Sequence, residues 1–513
     1  MAEVVSNNKR IAKNTIFLYV RMLFVLFVSL YTSRVVLNTL GVDNYGIYNV
    51  VAGFVSMFGF LNVTLSSSMQ RFYNFESSVE GKNGYLKVYS TGLIIHLIVA
   101  VLLVIILETF GLWYLNNIMV VPEGRLTAAN FVYQASILSM VFVVLQIPYS
   151  GAIMADERMD FYAIVSIVDV LLKLIAVIAL PKLPYDKLIT YGCLMLAITI
   201  FDTGLYFIYA KRKVLDIKVR ISFEKSLFKS ILFFSGWNLL GTFAFLLKGQ
   251  GVNILLNAFF GTIINAARGI AYQVNSAISG FSANLSTAFR PQIVSSYALN
   301  DFPRTRKLFF FESKVCFALL LTLMIPVIIE MKYLLHLWLG DIVPECAEIF
   351  SILVLVDSLI CSLNTPCSQV AFAVGNIKDY QIFSSVVNVC LLPVCWIFLK
   401  LDYDSVSVFV VTILFSVINQ IVCLIRVNKI FPFGLISYIR EVCIPCVLIV
   451  LVDPVFPFVV HNFLPEGFLR LLIVILVDIA VCFPSTLFLV FSKIERNKIL
   501  QEVRSKVLFL KSC

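Results

Sequence analysis

The sequence predicts an all-α polytopic membrane protein with about fourteen transmembrane helices. Of its 513 residues, 60% are hydrophobic and only 14% are charged, and the mean hydropathy is +0.94. A soluble globular protein does not need so much apolar surface. Apolar runs of roughly 20 residues, the length that a helix needs to cross a bilayer, recur from end to end. The sequence has no series of alternating strands of about ten residues, which excludes a transmembrane barrel.

The apolar runs define the predicted spans in chain order. Their approximate bounds are 14–36, 45–70, 86–110, 128–150, 160–180, 188–210, 228–256, 262–289, 308–331, 346–372, 380–399, 405–427, 438–460 and 467–491. An even number of spans places both termini on one side of the membrane. Of the 40 Lys and Arg residues, 28 lie on alternate connections and only four lie on the opposite connections. This bias predicts that both termini are cytoplasmic.

A related sequence pattern occurs twice along the chain. The matching positions are Leu37-Asn38 with Leu256-Asn257, Gly41 with Gly261, Leu65-Ser66 with Leu285-Ser286, and Arg71 with Arg290. Each copy contains six spans, so the two copies are expected to be parallel and related by an axis along the membrane normal. The predicted organisation is an N-terminal six-helix lobe at 1–210, a basic cytoplasmic linker at 211–227, a C-terminal six-helix lobe at 228–428, two additional transmembrane helices at 429–492 and a cytoplasmic amphipathic tail at 493–513.

A few basic residues lie inside the predicted spans. Arg21 lies in span 1, Lys248 in span 7 and Arg268 in span 8, while Arg34 lies near the outer end of span 1. Ionisable groups in the bilayer are costly and usually face a cavity or a partner. If these four cations converge on one cleft, they favour an anionic cargo. The alternative interpretation is snorkelling to the interface or a structural ion pair.

Acidic residues also lie inside the predicted spans. Asp169 and Lys173 are four positions apart, the spacing at which an acid and a base meet on one helix face, so we predict a structural ion pair. Asp202 and Asp357 have no partner nearby in the sequence. Either one is a candidate to bind a coupling ion, or it accepts hydrogen bonds from an adjacent helix.

Motifs for catalysis are absent from the sequence. It contains no phosphate-binding loop, zinc signature or nucleophile elbow. We therefore predict a protein that is not an enzyme and has no catalytic residues, no metal site and no cofactor. A polytopic architecture without catalytic groups indicates transport.

The segment 34–72 carries the clearest family resemblance. It reads RVVLNTLGVDNYGIYNVVAGFVSMFGFLNVTLSSSMQRF. This sequence resembles the first hairpin of the bacterial polysaccharide-transporter flippases, which has an R-x-L-G-x-x-x-Y-G-I-Y-type motif, a helix of small residues and a Q-R pair. Two later segments are also similar to that family, Phe234-Ser235-Gly236-Trp237-Asn238 and Ala288-Phe289-Arg290-Pro291-Gln292.

The resemblance implies a fold, a function and partners. The fold would be the MATE-like V-shaped pair of lobes of the MOP superfamily. The function would be to flip undecaprenyl-diphosphate-linked oligosaccharide units across the bacterial inner membrane by alternating access, for O-antigen, capsule or exopolysaccharide. Cationic cavities in this family suit the diphosphate, and Arg21, Lys248 and Arg268 lie in spans where such charge is expected. The implied partners are the lipid-linked oligosaccharide, membrane lipids and the polysaccharide polymerase machinery, with no nucleic acid.

Two alternatives remain open from the sequence. A cation-coupled multidrug antiporter would share the fold, but such proteins favour acidic cavity residues, whereas the unpaired deep charges in spans 1, 7 and 8 are basic. A membrane oligosaccharide polymerase or ligase would need a large external catalytic loop. The longest external connections here are short, about 15 residues.

Overall fold

The structure is a computed structural model of the chain. It describes residues 16–25, 27–29, 31–32, 35–36, 39–40, 44, 47–48, 51, 55, 58–117, 124–215, 224–340, 343–493 and 495–497, with the backbone alone at 215, 257, 261–263 and 265–266. Every regular element within these residues is helical. Eleven helices in this part of the chain are long and apolar enough to cross a membrane. The predicted all-α polytopic membrane fold is confirmed.

The described helices are numbered here in chain order. They are α1 (Ile16–Ser29), α2 (Gly59–Glu80), α3 (Lys82–Asn117), α4 (Leu126–Ala155), α5 (Met159–Lys182), α6 (Lys187–Val214), α7 (Lys225–Ala298), α8 (Phe302–Ile329), α9 (Met331–Leu339), α10 (Ala347–Val374), α11 (Lys378–Lys400), α12 (Val406–Ile430), α13 (Leu435–Phe463) and α14 (Phe468–Val490). Most coincide with one predicted span each. The exceptions are α2 and α7, whose bounds differ from the predicted spans for physical reasons given below, and the short α9.

Helix α7 contains two predicted spans in one helical segment of 74 residues. Its side-chain contacts show that the chain reverses within it. The guanidinium of Arg268 donates to the carbonyl oxygen of Gly249 at 2.8 Å, although 19 residues of straight helix would separate them by about 28 Å. The chain therefore folds back between these residues. Spans 7 and 8 form a hairpin, as their separate apolar runs predict.

The chain divides into two compact units. Unit 1 comprises the described residues of Met1–Thr242 and Val294–Asn300, and unit 2 those of Phe243–Ile293 and Asp301–Cys513. The division falls inside α7, so both ends of that helix pack with the N-terminal helices. Its middle part packs with the C-terminal helices.

In unit 1, both ends of α7 contact the polar helix α2. Asn238 donates from Nδ2 to Ser67 Oγ at 3.0 Å, and the hydroxyl groups of Ser78 and Ser295 lie 2.9 Å apart. Helix α2 carries five buried polar or charged side chains, Thr64, Ser68, Gln70, Arg71 and Asn74. Polar groups of this kind hold neighbouring helices together in a membrane. These contacts explain why α2 continues to Glu80, beyond the apolar run that was predicted to end at residue 70.

In unit 2, a buried carboxylate joins α8 to the last two helices. Glu330 follows α8, and its side chain is fully buried. Its Oε2 lies 2.7 Å from Nη2 of Arg470 on α14, and its Oε1 lies 2.9 Å from Nδ1 of His461 on α13. The two helices outside the predicted repeat are thus attached to the rest of unit 2 by hydrogen bonds to one carboxylate.

Candidate functional site

Unit 2 contains a cluster of charged side chains in the membrane-spanning region. Lys248 on α7 is only 9% exposed, and its ammonium donates to Ser416 Oγ on α12 at 3.3 Å. Cys361 on α10 lies between Ser416 and Asp357 of the same helix, with its Sγ 3.8 Å from Ser416 Oγ and 4.0 Å from Asp357 Oδ2, and the charge of Lys248 acts on that carboxylate. Ser416 and Cys361 therefore connect the buried lysine to the carboxylate. Oδ1 of Asp357 has no hydrogen-bond partner among the described residues.

Arg268 lies in the same cluster, on the second half of the α7 hairpin. Besides its bond to Gly249, it donates from Nη1 to Asn253 Oδ1 at 3.2 Å. Its guanidinium carbon lies 4.4 Å from the ring centre of Tyr272, a cation–π contact. Tyr272 is also within electrostatic range of Asp357. The structure thus brings Lys248, Arg268 and Asp357 together, around Ser416 and Tyr272.

This cluster in unit 2 has an excess of positive charge. Among its described side chains, Lys248 and Arg268 supply two cations and Asp357 supplies one carboxylate. The Nε atom of Arg268 is buried and has no hydrogen-bond partner in the described part of the chain. An unsatisfied donor beside an uncompensated charge is costly in a low-dielectric interior. Such a site is stabilised by an anion that accepts hydrogen bonds.

Unit 1 contains the remaining predicted cation, Arg21. Its guanidinium carbon lies 4.6 Å from the ring centre of Tyr162 on α5. Its charge also acts on Tyr206 of α6. The Nε atom of Arg21 is buried without a hydrogen-bond partner among the residues described. Arg34 lies outside the described residues.

Two aspartates and one lysine form a group of three ionisable side chains in unit 1. Lys173 Nζ lies 2.8 Å from Asp169 Oδ1 within α5. Asp202 on α6 lies near Asp169 and Lys173, and its Oδ1 has no hydrogen-bond partner in the described residues. Two neighbouring carboxyl groups repel each other when both are ionised. The pair that was predicted from the sequence therefore has a third member.

Sequence reasoning missed the side chains that connect these charges. Ser416, Tyr272, Tyr162 and Tyr206 are ordinary members of apolar helices, and no motif marks them. The contact between Lys248 and Ser416 joins residues 168 positions apart. The described residues contain no group of three or more His, Cys, Asp or Glu side chains that could hold a metal ion.

Comparison with solved structures identifies the fold. A MATE protein in the bent conformation matches with a TM-score of 0.70 and 12% identity, over 83% of this chain and 96% of that chain. A multidrug resistance MATE family transporter of the MOP superfamily, in an outward-facing conformation, matches with a TM-score of 0.69 and 14% identity, over 83% and 97%. A MOP superfamily transporter from Pyrococcus furiosus, described as having a binding pocket of reverse polarity, matches with a TM-score of 0.66 and 14% identity, over 84% and 96%.

These matches show that the chain has the MATE fold. No protein-family model and no curated protein matches the sequence.

Proposed function

We propose that this chain is a membrane transporter, not an enzyme, that flips undecaprenyl-diphosphate-linked oligosaccharide from the cytoplasmic to the periplasmic leaflet by alternating access. The observation that carries the proposal is the excess positive charge around Lys248 and Arg268. The MATE fold supplies a transporter architecture, and one protein of this fold is described as having a binding pocket of reverse polarity. The fold is therefore compatible with cargoes of more than one charge.

The diphosphate is the part of the cargo that a basic cluster would recognise. A diphosphate carries about two negative charges, and removing its water in a low-dielectric cleft is costly unless cations replace that water. Lys248 supplies a buried ammonium, and Arg268 supplies a guanidinium with a free Nε. Arg21 is a further candidate, and Arg34 remains one. The glycan differs between pathways while the diphosphate does not, so charge at this site should matter more than any contact with sugar.

Charge-neutralising substitutions test this proposal. Lys248→Gln and Arg268→Gln should abolish surface polysaccharide in a strain that depends on this chain, while protein abundance in the membrane stays near that of the wild type. Arg268→Lys should retain partial function, because a point charge survives although the bidentate fork is lost. Lys182→Gln, which removes an exposed cation at the end of α5, is the matched control and should export normally.

The leaflet in which lipid-linked oligosaccharide accumulates distinguishes a defect in transport from a defect in synthesis. If flipping fails, completed lipid-linked oligosaccharide should accumulate in the cytoplasmic leaflet. Normal export with Gln at positions 21, 248 and 268 together would overturn the proposed role of these cations. Accumulation of unpolymerised units in the periplasmic leaflet would instead indicate a polymerase or ligase.

A cation-coupled multidrug antiporter is the second candidate, and the acidic group of unit 1 favours it. Asp169 is paired with Lys173 and lies near Asp202, and two neighbouring carboxyl groups inside a membrane are suited to binding a coupling ion. An antiporter of this kind should lose drug resistance on Asp202→Asn or Asp357→Asn and should be insensitive to Arg268→Gln. A flippase should show the opposite dependence on Arg268.

The proposed setting is the bacterial inner membrane, with both termini in the cytoplasm. The distribution of Lys and Arg supports this orientation. Membrane lipids would surround the transporter, and polymerase machinery would receive the flipped units. These partners follow from the proposed cargo.

A further inference from the structure

We propose that a cavity in unit 2, between the first turns of α8, the start of α13 and the segment after α14, binds a phosphate monoanion in the form of a phospholipid headgroup. The cavity has a volume of about 210 Å³. That is room for about seven water molecules, enough for a phosphodiester with part of its glycerol. Its walls include Arg306, Lys307 and Lys314 from α8 and Glu441 from α13. This site is separate from the cluster around Lys248.

The charges of the cavity leave one cation available. Lys314 is buried and is neutralised by Glu495, at 3.2 Å, and Glu495 also accepts from the backbone N–H of Ser492. Arg306 and Glu441 are 3.7 Å apart, beyond hydrogen-bonding distance, and both are exposed to solvent in part. Lys307 is exposed. The lining residues therefore carry an excess of one positive charge, which matches one phosphodiester.

Arg306 supplies a guanidinium of fixed orientation to this cavity. Its Nε atom is buried and has no hydrogen-bond partner among the described residues. Its guanidinium carbon lies 4.9 Å from the ring centre of Phe310, which also lines the cavity. A guanidinium held flat against a ring presents its N–H groups in a fixed direction. Because this Nε is buried, a phosphate oxygen in the cavity accepts from the Nη groups of the same guanidinium, whose side chain is 42% exposed.

The floor of the cavity is rigid. Phe310 packs edge-on against Tyr438, with ring centres 5.3 Å apart, and Phe309 stacks on the same tyrosine at 5.0 Å. The hydroxyl of Tyr438 hydrogen-bonds to Ser313 Oγ at 3.1 Å. Aromatic side chains locked in this way do not have to be ordered when a ligand binds, so the entropic cost of binding is reduced.

The position of the cavity favours a lipid as the source of the phosphate. Helices α8 and α13 begin at its rim and α14 ends there, and all three ends lie on the predicted cytoplasmic face. The phosphates of anionic lipids lie at that depth, and each Lys or Arg near such a surface adds attraction for them. Pro303 and Phe310 add apolar wall next to the basic groups. A headgroup with attached acyl chains uses both kinds of surface.

Native mass spectrometry of the full chain in detergent tests the site. The protein is titrated with phosphatidylglycerol, and the dissociation constant of the most tightly bound lipid is measured. Arg306→Gln combined with Lys307→Gln should weaken binding roughly 25-fold, about fivefold for each charge. Glu441→Gln should strengthen binding about fivefold, because it raises the excess charge. Lys225→Gln, which removes an exposed lysine at the start of α7 in unit 1, is the matched control and should change binding less than about twofold.

Two further ligands distinguish the sources of the phosphate. If inorganic phosphate does not compete with phosphatidylglycerol, the site binds a lipid headgroup. If it competes, the site binds a free phosphate group. Both results support a phosphate site. Equal losses of phosphatidylglycerol and of diacylglycerol, which has no phosphate, in the double variant would overturn the proposal. Binding by the double variant that equals binding by Lys225→Gln would also overturn it. Gel filtration of each variant confirms that the protein stays folded, and transport activity plays no part in the outcome.

Discussion

The buried carboxylate of Glu330 gives the sharpest prediction about stability. Replacement by Leu removes the negative charge that Arg470 and His461 share in unit 2. The side chain of Arg470 is only 10% exposed, so water cannot replace the lost carboxylate. Its Nε already has no hydrogen-bond partner among the described residues. We therefore expect Glu330→Leu to leave an uncompensated guanidinium inside the protein.

The size of the effect follows from the burial of both partners. Removing one partner of a buried ion pair costs about 3–5 kcal/mol, more than the net contribution of the pair itself. Replacing both charges by apolar side chains of similar volume is often neutral. The double variant Glu330→Leu with Arg470→Leu should therefore recover most of the stability that Glu330→Leu alone loses. The difference in the free energy of unfolding between the single and double variants measures the cost of leaving the guanidinium buried without its carboxylate.

Unfolding by SDS in mixed micelles, followed by circular dichroism, provides the free energies of unfolding. Glu345→Leu is the matched control, because Glu345 is an exposed acid in the connection before α10, and it should change the free energy by less than about 0.5 kcal/mol. The reasoning is refuted if Glu330→Leu costs less than about 1 kcal/mol. A double variant that is less stable than Glu330→Leu would refute it as well.

Two further predictions concern topology and helix packing. A reporter fused after Lys213 should report the cytoplasm and one fused after Pro457 the opposite side; a periplasmic signal at Lys213 would reverse the predicted orientation. Gly84→Ala should lower the melting temperature, because the new Cβ would lie 2.3 Å from the backbone oxygen of Glu76, and such overpacking costs about 1–3 kcal/mol. Gly204→Ala, whose Cβ would have no described heavy atom within 4 Å, should change the melting temperature far less, and equal shifts for the two variants would contradict the packing argument.

The fold was predictable because bilayer thickness sets the length of each apolar run. Helices such as α11 and α12 each coincide with a single apolar run that the sequence predicts as one span. Helix α2 was harder, because its polar residues Thr64 and Asn74 are buried, and hydropathy cannot distinguish a buried polar helix from a loop. The hairpin of α7 was predicted from two apolar runs, whereas the bond from Arg268 that shows the reversal depends on tertiary structure.

The charged residues of the candidate site were predictable one by one, but their partners were not. The contact between Asp169 and Lys173 is local, at four positions, so helix geometry alone predicts it. Asp202 meets Asp169 only because α5 packs on α6. The connection of Lys248 to Asp357 through Ser416 and Cys361 joins three helices, and no pattern along the chain encodes it. Residue type indicates where charge lies in the membrane, and packing decides what neutralises it.

The reversal of α7 also has a consequence for how the chain enters the membrane during synthesis. Arg268 leaves the ribosome 19 residues after Gly249, whose carbonyl accepts its hydrogen bond. Until the preceding half of the hairpin lies alongside, the guanidinium has no such acceptor, and an isolated arginine at that depth is resisted by the insertion machinery. The two halves should therefore partition into lipid as a pair. An isolated second half should be retained in the aqueous channel until its neighbour is supplied.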